Sequence, residues 1–113
     1  MLSLTNSRRY FVYQDCCNMR AGFNSLGGLV NNCMEGDLLS GDVFIFFNRR
    51  KNQCKLLRFS GDSFDIFHKK LIKGTFEIPD SGEIEAYQLQ LLLDGIVLEA
   101  FRKKSRFSLK KTV

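Results

Sequence analysis

The chain has 113 residues, of which 44% are apolar and 26% charged, and eleven are phenylalanine. This length and composition suit one domain with its own core and exclude a disordered chain. No apolar run approaches the roughly 20 residues of a membrane-spanning helix, and the polar opening does not fit a secretory signal. We therefore expect a cytoplasmic protein with one domain at residues 1–101 and a basic, flexible tail at residues 102–113.

The net charge of +5 is unevenly distributed along the chain. Residues 43–76 hold eight bases and two acids, whereas the rest of residues 1–100 holds three bases and ten acids. The tail adds six bases and no acid. A basic middle between acidic flanks favours an anionic partner for the middle, and segregation of this kind determines partners more than the net charge does.

The first half of the sequence predicts a strand followed by a helix. Residues 9–14 are rich in aromatic and β-branched side chains, which is typical of a strand. Apolar residues then recur at three- and four-residue steps over residues 19–33, which predicts a long amphipathic helix. Asp15 or Asn18 would cap its start and Gly36 would end it. Three glycines within this stretch indicate close packing against the helix.

From residue 43 the apolar period shortens to two. This pattern predicts three antiparallel strands at residues 43–47, 54–60 and 63–69, with Gly61-Asp62 as the two-residue turn between the last two. Residues 74–78 could add a short edge strand. The first of these strands is apolar on both faces, so it lies either at the centre of the sheet or against a second subunit. We favour the central position.

A second, shorter helix is predicted from Ile84 to Leu92, with Ser81 as its cap and Asp94-Gly95 as its stop. Residues 96–98 would then dock as a strand or extended arm. The order of elements predicts an α+β fold. We expect a curved antiparallel sheet that could close toward a half-barrel, covered by the long helix, with the shorter helix near the C-terminus.

Catalytic and metal-binding patterns are weak. No C-x-x-C pair is present and His68 is the one histidine, so the ligand spacing of a zinc site is missing. The simplest interpretation of the cysteines is that they are buried, reduced thiols. The glycine-rich stretch at residues 22–28 lacks the Lys and the Ser or Thr of a phosphate-binding loop. We expect no enzyme, no metal and no cofactor. The cysteines are Cys16, Cys17, Cys33 and Cys54.

The strongest local signal is the basic hairpin around residues 48–53. A two-stranded ribbon can enter or straddle a nucleic-acid groove, where cations meet phosphates and Phe59 and Phe67 could stack on bases. Charged residues at hairpin tips also keep sheet edges soluble. The alternative to nucleic-acid binding is therefore that this hairpin is only a solvent-exposed turn. The candidate nucleic-acid-binding residues are Arg49, Arg50, Lys51, Lys55, Arg58, Lys69, Lys70 and Lys73.

Several motifs, in order and at fixed separations, resemble a known family. They are NMRAGF at 18–23, GDVFIFFNRR at 41–50, GDSF at 61–64, KKLIKGTF at 69–76 and LLLDGI at 91–96. Together they resemble the small TnpB-type accessory protein that the second open reading frame of IS66-family bacterial insertion sequences encodes.

The resemblance implies a non-catalytic role in transposition, beside a larger transposase of the same element that cuts and joins DNA. The chain departs from the family pattern at Asn18 and Ala21, which replace an acid and a base. Phe59, Phe67 and His68 stand at positions that Trp or Tyr often occupies, which weakens the case for stacking as the main contact.

Two functions remain open at this point. In the first, the basic hairpin contacts nucleic acid. In the alternative, the protein is an adaptor that binds the transposase or another accessory subunit without touching DNA, through acidic flanks that include Glu83, Glu85 and Glu99 and an apolar anchor. The expected partners are the transposase and nucleic acid, with a homodimer as a further option and no membrane.

Overall fold

The computed structural model describes residues 4–5 and 7–94. Its five strands form one open sheet with the order β4-β3-β2-β1-β5, and two helices complete the fold. The α+β class is therefore confirmed. The elements are β1 (Tyr10–Cys16), α1 (Phe23–Cys33), β2 (Val43–Phe47), β3 (Gln53–Phe59), β4 (Phe64–Lys70), β5 (Glu83–Ile84) and α2 (Ala86–Leu93).

The sheet is mixed, so the prediction of a wholly antiparallel sheet was wrong. β1 and β2 pair in parallel, with Tyr10 opposite Val43 and Val12 opposite Ile45, while the other pairs are antiparallel. The physical reason is the connection: parallel neighbours need a crossover, and α1 with its flanking loops returns the chain to the starting end of β1. The sheet is open, with β4 and β5 at its two edges.

Both faces of β2 are buried, as the apolar pattern of residues 43–47 predicts for a central strand. All five residues of β2 are buried. Phe44 and Phe46 pack with Leu26 and Val30 of α1 on one face. On the other face, the remaining β2 side chains pack with Leu89 and Leu92 of α2. Each helix thus covers one face, and β2 is the middle strand of the sheet.

Helix α1 is shorter than the sequence predicts, with 11 residues. It begins after Gly22, because the residues before it form a turn in which Asn18 Oδ1 accepts the backbone N–H of Arg20 at 2.8 Å. Asp15 belongs to β1. Both predicted caps were therefore wrong. Gly36 lies three residues beyond the last helical residue, and an added Cβ there would lie 2.6 Å from the rings of both Phe11 and Phe44.

The chain between β4 and α2 also differs from expectation. Residues 74–78 form no strand; Phe76 is buried instead, with its ring 5.7 Å from that of Phe47. Ile84, predicted as helical, pairs with Tyr10 in the two-residue strand β5. Helix α2 starts later, at a capping box in which the Glu85 N–H donates to Gln88 Oε1 at 2.8 Å.

Helix α2 ends at Leu93 with Asp94 as its C-cap, as predicted for Asp94, and Gly95 lies outside the described residues. The predicted arm at residues 96–98 and the basic tail at residues 102–113 lie outside the described residues. Neither α1 nor α2, the two helices of the described residues, has the length and apolar character of a membrane-spanning segment.

Candidate nucleic-acid interface

The β2–β3 connection at residues 48–52 carries three of the eight candidate cations: Arg49, Arg50 and Lys51. Asn48 organises the turn, because its Oδ1 accepts the backbone N–H groups of Asn52 and Gln53 at 3.1 and 3.0 Å. Its Nδ2 donates to Asn52 Oδ1 at 2.7 Å. Lys51 takes a left-handed conformation with φ of 61°, which is uncommon for a residue with a Cβ. The turn is thus held by side-chain hydrogen bonds.

A second loop, at residues 71–75, lies against this turn. The Leu71 N–H donates to Asn52 O at 2.8 Å, and the Phe76 N–H donates to Lys51 O at 2.6 Å. These bonds hold both ends of the second loop on the first. We call these two loops, together with Lys70 at the end of β4, the basic double loop; it comprises residues 48–52 and 70–75.

The basic double loop gathers five of the eight candidate cations without a carboxylate. Its sequence holds five bases and no acid, and all five bases are exposed. Among the described residues, the two ion pairs are Arg9–Asp42 and Arg58–Asp65, and neither includes a double-loop cation. The five cations are Arg49, Arg50, Lys51, Lys70 and Lys73.

Lys55 lies outside this group, because its side chain bonds to the loop that precedes α1. The Nζ atom donates to Ala21 O at 2.8 Å, across 34 residues of sequence. The side chain is half-buried. Lys55 therefore holds the loop before α1 on the sheet, and its charge is directed at a backbone carbonyl of the protein.

Arg58 is neutralised by a carboxylate on the neighbouring strand. Its Nη2 donates to Asp65 Oδ2 at 2.6 Å, and the two residues are direct cross-strand partners. The hydrogen bond from Arg58 holds the pKa of the Asp65 carboxyl below its usual range. A paired guanidinium attracts phosphate less, because much of its field is cancelled at short range.

Lys69 binds the C-terminal end of α2. Its Nζ donates to Leu93 O at 2.6 Å, which satisfies one of the carbonyls that a helix leaves unbonded in its last turn. A cation at this end also complements the helix dipole. Three of the eight predicted binding residues thus make structural contacts within the fold.

The two phenylalanines predicted as stacking partners lie on opposite faces of the sheet. Phe67 pairs with Leu56, which belongs to the core beneath α2, and it is 41% exposed. Phe59 pairs with Phe64, and their rings lie 5.0 Å apart at the far end of the β3–β4 hairpin from the basic double loop. They cannot act as one stacking platform, and neither belongs to the basic double loop.

A cavity of about 440 Å³ adjoins the β2–β3 turn. Its walls come from residues 16–19, which follow β1, and from Asn48, Arg49, Arg50 and Gln53. It lies where the parallel strands β1 and β2 both end, the edge at which α/β sheets commonly bind ligands. The cavity thus connects the β2–β3 turn of the double loop with the turn before α1.

A second and larger cavity, of about 630 Å³, has an acidic rim. We call it the acidic groove. It lies between β1, β5 and the residues after α1, and its lining includes Phe11, Tyr13 and Met34 together with Asp15, Glu35 and Glu83. Of the other two acidic residues predicted for an adaptor surface, Glu85 caps α2 and Glu99 lies outside the described residues.

The cysteines are not assembled into a reactive or metal-binding centre in the described part of the chain. Cys17 and Cys54 are buried, and burial raises the pKa of both thiols, that of Cys54 to about 12. Both therefore stay protonated and unreactive at neutral pH. Cys16 and Cys33 are exposed. Within residues 4–5 and 7–94, no group of three His, Cys, Asp or Glu side chains is placed to hold a metal ion.

Comparison with known proteins agrees with the motifs in the sequence. The family model described as IS66 Orf2-like protein matches residues 8–103, which include both loops of the basic double loop. A Sinorhizobium fredii relative, the uncharacterized protein y4hO, is 30% identical over 100 residues, covering 85% of this chain and 87% of its own. No solved structure is significantly similar. The chain therefore belongs to the IS66 Orf2-like family, whose members are accessory proteins of insertion-sequence transposition.

Proposed function

We propose that this protein is a non-catalytic accessory factor of transposition that contacts nucleic acid through the basic double loop. The observation that carries the proposal is the gathering of five exposed cations on two hydrogen-bonded loops that contain no carboxylate. Such a surface neutralises phosphates and releases their condensed counterions, the main source of sequence-independent binding to DNA.

All five cations are of types that bind phosphate oxygens. Arg49 and Arg50 can each donate two parallel hydrogen bonds to a phosphate, whereas the lysines act as point charges. The turn is fixed by Asn48, so these side chains start from an ordered backbone and lose less entropy on binding. We therefore propose a mainly backbone-directed contact, with the remaining three predicted residues serving the fold.

Two variants of equal charge test this division of roles. R49Q/R50Q/K51Q removes three cations of the basic double loop, and K55Q/R58Q/K69Q removes the three that bond within the protein. The affinity of the full chain for a duplex of about 20 base pairs is measured between 50 and 200 mM salt. The first variant should flatten the slope of log affinity against log salt by about 2.7, since each phosphate contact contributes about 0.9.

The second variant should keep the wild-type slope and unfold at a lower temperature. If it does not fold, the single variant K69Q replaces it, because K69Q loses one contact to α2 and the fold retains the rest. The proposal is wrong if the wild type does not bind at 50 mM salt, or if both variants flatten the slope equally. Binding carried by the tail alone would leave both slopes unchanged.

The adaptor hypothesis has its own observation, the acidic groove with an apolar floor. Carboxylates beside Phe11 and Met34 suit a basic segment that also carries apolar side chains. We propose this as the second candidate, with the transposase as partner. Nuclease treatment separates the two: co-purification through the acidic groove survives digestion of DNA, whereas co-purification bridged by nucleic acid does not.

A further inference from the structure

Ile72 is the most exposed large apolar residue in the described part of the chain. Its relative exposure is 103%, against 65% for Tyr87 and 61% for Leu39. A single exposed apolar residue is common, but this one lies within the second loop of the basic double loop. Ile72 therefore lies on the surface that we propose to contact nucleic acid.

The loop holds Ile72 outward by anchoring the residues around it. The Leu71 N–H is bound to Asn52 O, and the Leu71 side chain packs against the core beneath α2. On the other side, Phe76 is buried and its N–H is bound to Lys51 O. Gly74 supplies the positive φ of 84° that lets the chain turn back between these anchors.

The charges around Ile72 identify the kind of partner. Lys70 and Lys73 flank it in sequence, and the hydrogen-bonded turn beside it carries Arg49 and Arg50. An apolar side chain among cations suits a partner with an anionic exterior and an apolar interior. Duplex DNA has this construction, because phosphates line the outside and stacked bases fill the inside.

We propose that Ile72 is a wedge that enters between neighbouring base pairs from the minor groove and kinks the duplex. Apolar side chains of this size act in this way in proteins that bend DNA, with kinks of about 20 to 90°. The inference rests on the proposed function, since the cations must first hold the duplex against the loop. It adds that this protein deforms DNA as well as binding it.

The test uses the full chain and a duplex of about 25 base pairs with a fluorophore at each end. Wild-type protein should shorten the distance between the ends, as measured by energy transfer, and I72A should abolish that change. The salt slope of I72A should equal that of the wild type, because no cation is removed. I72M, which keeps a long apolar side chain, should retain the bend.

K73Q is the matched control on the next residue. It should flatten the salt slope by about 0.9 and leave the bend at saturation unchanged. Binding without a bend, or an equal bend with I72A, overturns the wedge and leaves the proposed function standing. No binding at low salt overturns the proposed function itself. Loss of transposase capture by I72A with DNA bending intact would assign Ile72 to a protein contact and likewise overturn the wedge.

Discussion

Gly36→Ala is expected to destabilise the fold by about 3 kcal/mol, the upper part of the range for overpacking a dense core. The added Cβ would lie 2.6 Å from ring carbons of both Phe11 and Phe44. These rings stack 5.7 Å apart, and both are buried against the α1 side of the sheet. The fully buried Phe44 ring cannot move without displacing core side chains, so the Phe11 ring, which borders the acidic groove, or the backbone after α1 must shift. Urea denaturation of the variant and the wild type measures the loss.

Two other glycines provide controls for this prediction. Gly28 lies inside α1 with nothing within 4 Å of an added Cβ, so Gly28→Ala should stabilise the protein by about 0.5 to 1 kcal/mol through helix propensity. Gly82 is exposed and equally open, so Gly82→Ala should change little. A Gly36→Ala protein as stable as the wild type would contradict the close packing described around this residue.

Asn48→Ala is expected to cost about 2 kcal/mol and to weaken DNA binding without removing a charge. The Asn48 side chain makes three hydrogen bonds across the turn, two of them to the backbone N–H groups of Asn52 and Gln53. A typical hydrogen bond contributes about 1 kcal/mol, and part of the loss is recovered where water reaches the freed groups. Binding of DNA must then also order the loosened turn, so the affinity falls. Thermal melting should report the lost stability, and DNA titration should report the lower affinity.

Asn48→Asp separates the two effects of this residue. The aspartate keeps an acceptor for both backbone N–H groups, so the turn and most of the stability should survive. It also places a negative charge among the cations of the basic double loop, so affinity for DNA should fall and the salt slope should flatten. An Asn48→Ala protein with wild-type stability and affinity would show that the turn does not need this side chain.

Much of the fold was predictable because its signals are local. The period-two pattern gave the strands near residues 43–47, 54–60 and 63–69, and Gly61, with φ of 97°, forms the turn between the last two. The parallel pairing of β1 with β2 was missed because the apolar pattern of α1 does not show the direction in which the next strand runs. A helix between two strands fits an antiparallel sheet as well as a parallel crossover. Strand β5 has two residues, too few to show an alternating pattern.

The candidate site was predictable only in part, for a similar reason. The sequence shows the cations but not the groups that they bond. Lys55 donates to a carbonyl 34 residues earlier and Lys69 to one 24 residues later, and no pattern of side chains marks a backbone carbonyl as a partner. The return of residues 71–75 onto the β2–β3 turn likewise depends on backbone hydrogen bonds between distant residues.

The most direct test is an amide NMR titration of the full chain with a duplex of about 20 base pairs at low salt. We expect the largest shifts at residues 48–52 and 70–75, and little change at residues 60–63, the turn at the opposite end of the β3–β4 hairpin. Shifts confined to residues 102–113, or clustered around the acidic groove with the basic double loop unchanged, would contradict a nucleic-acid contact at this surface.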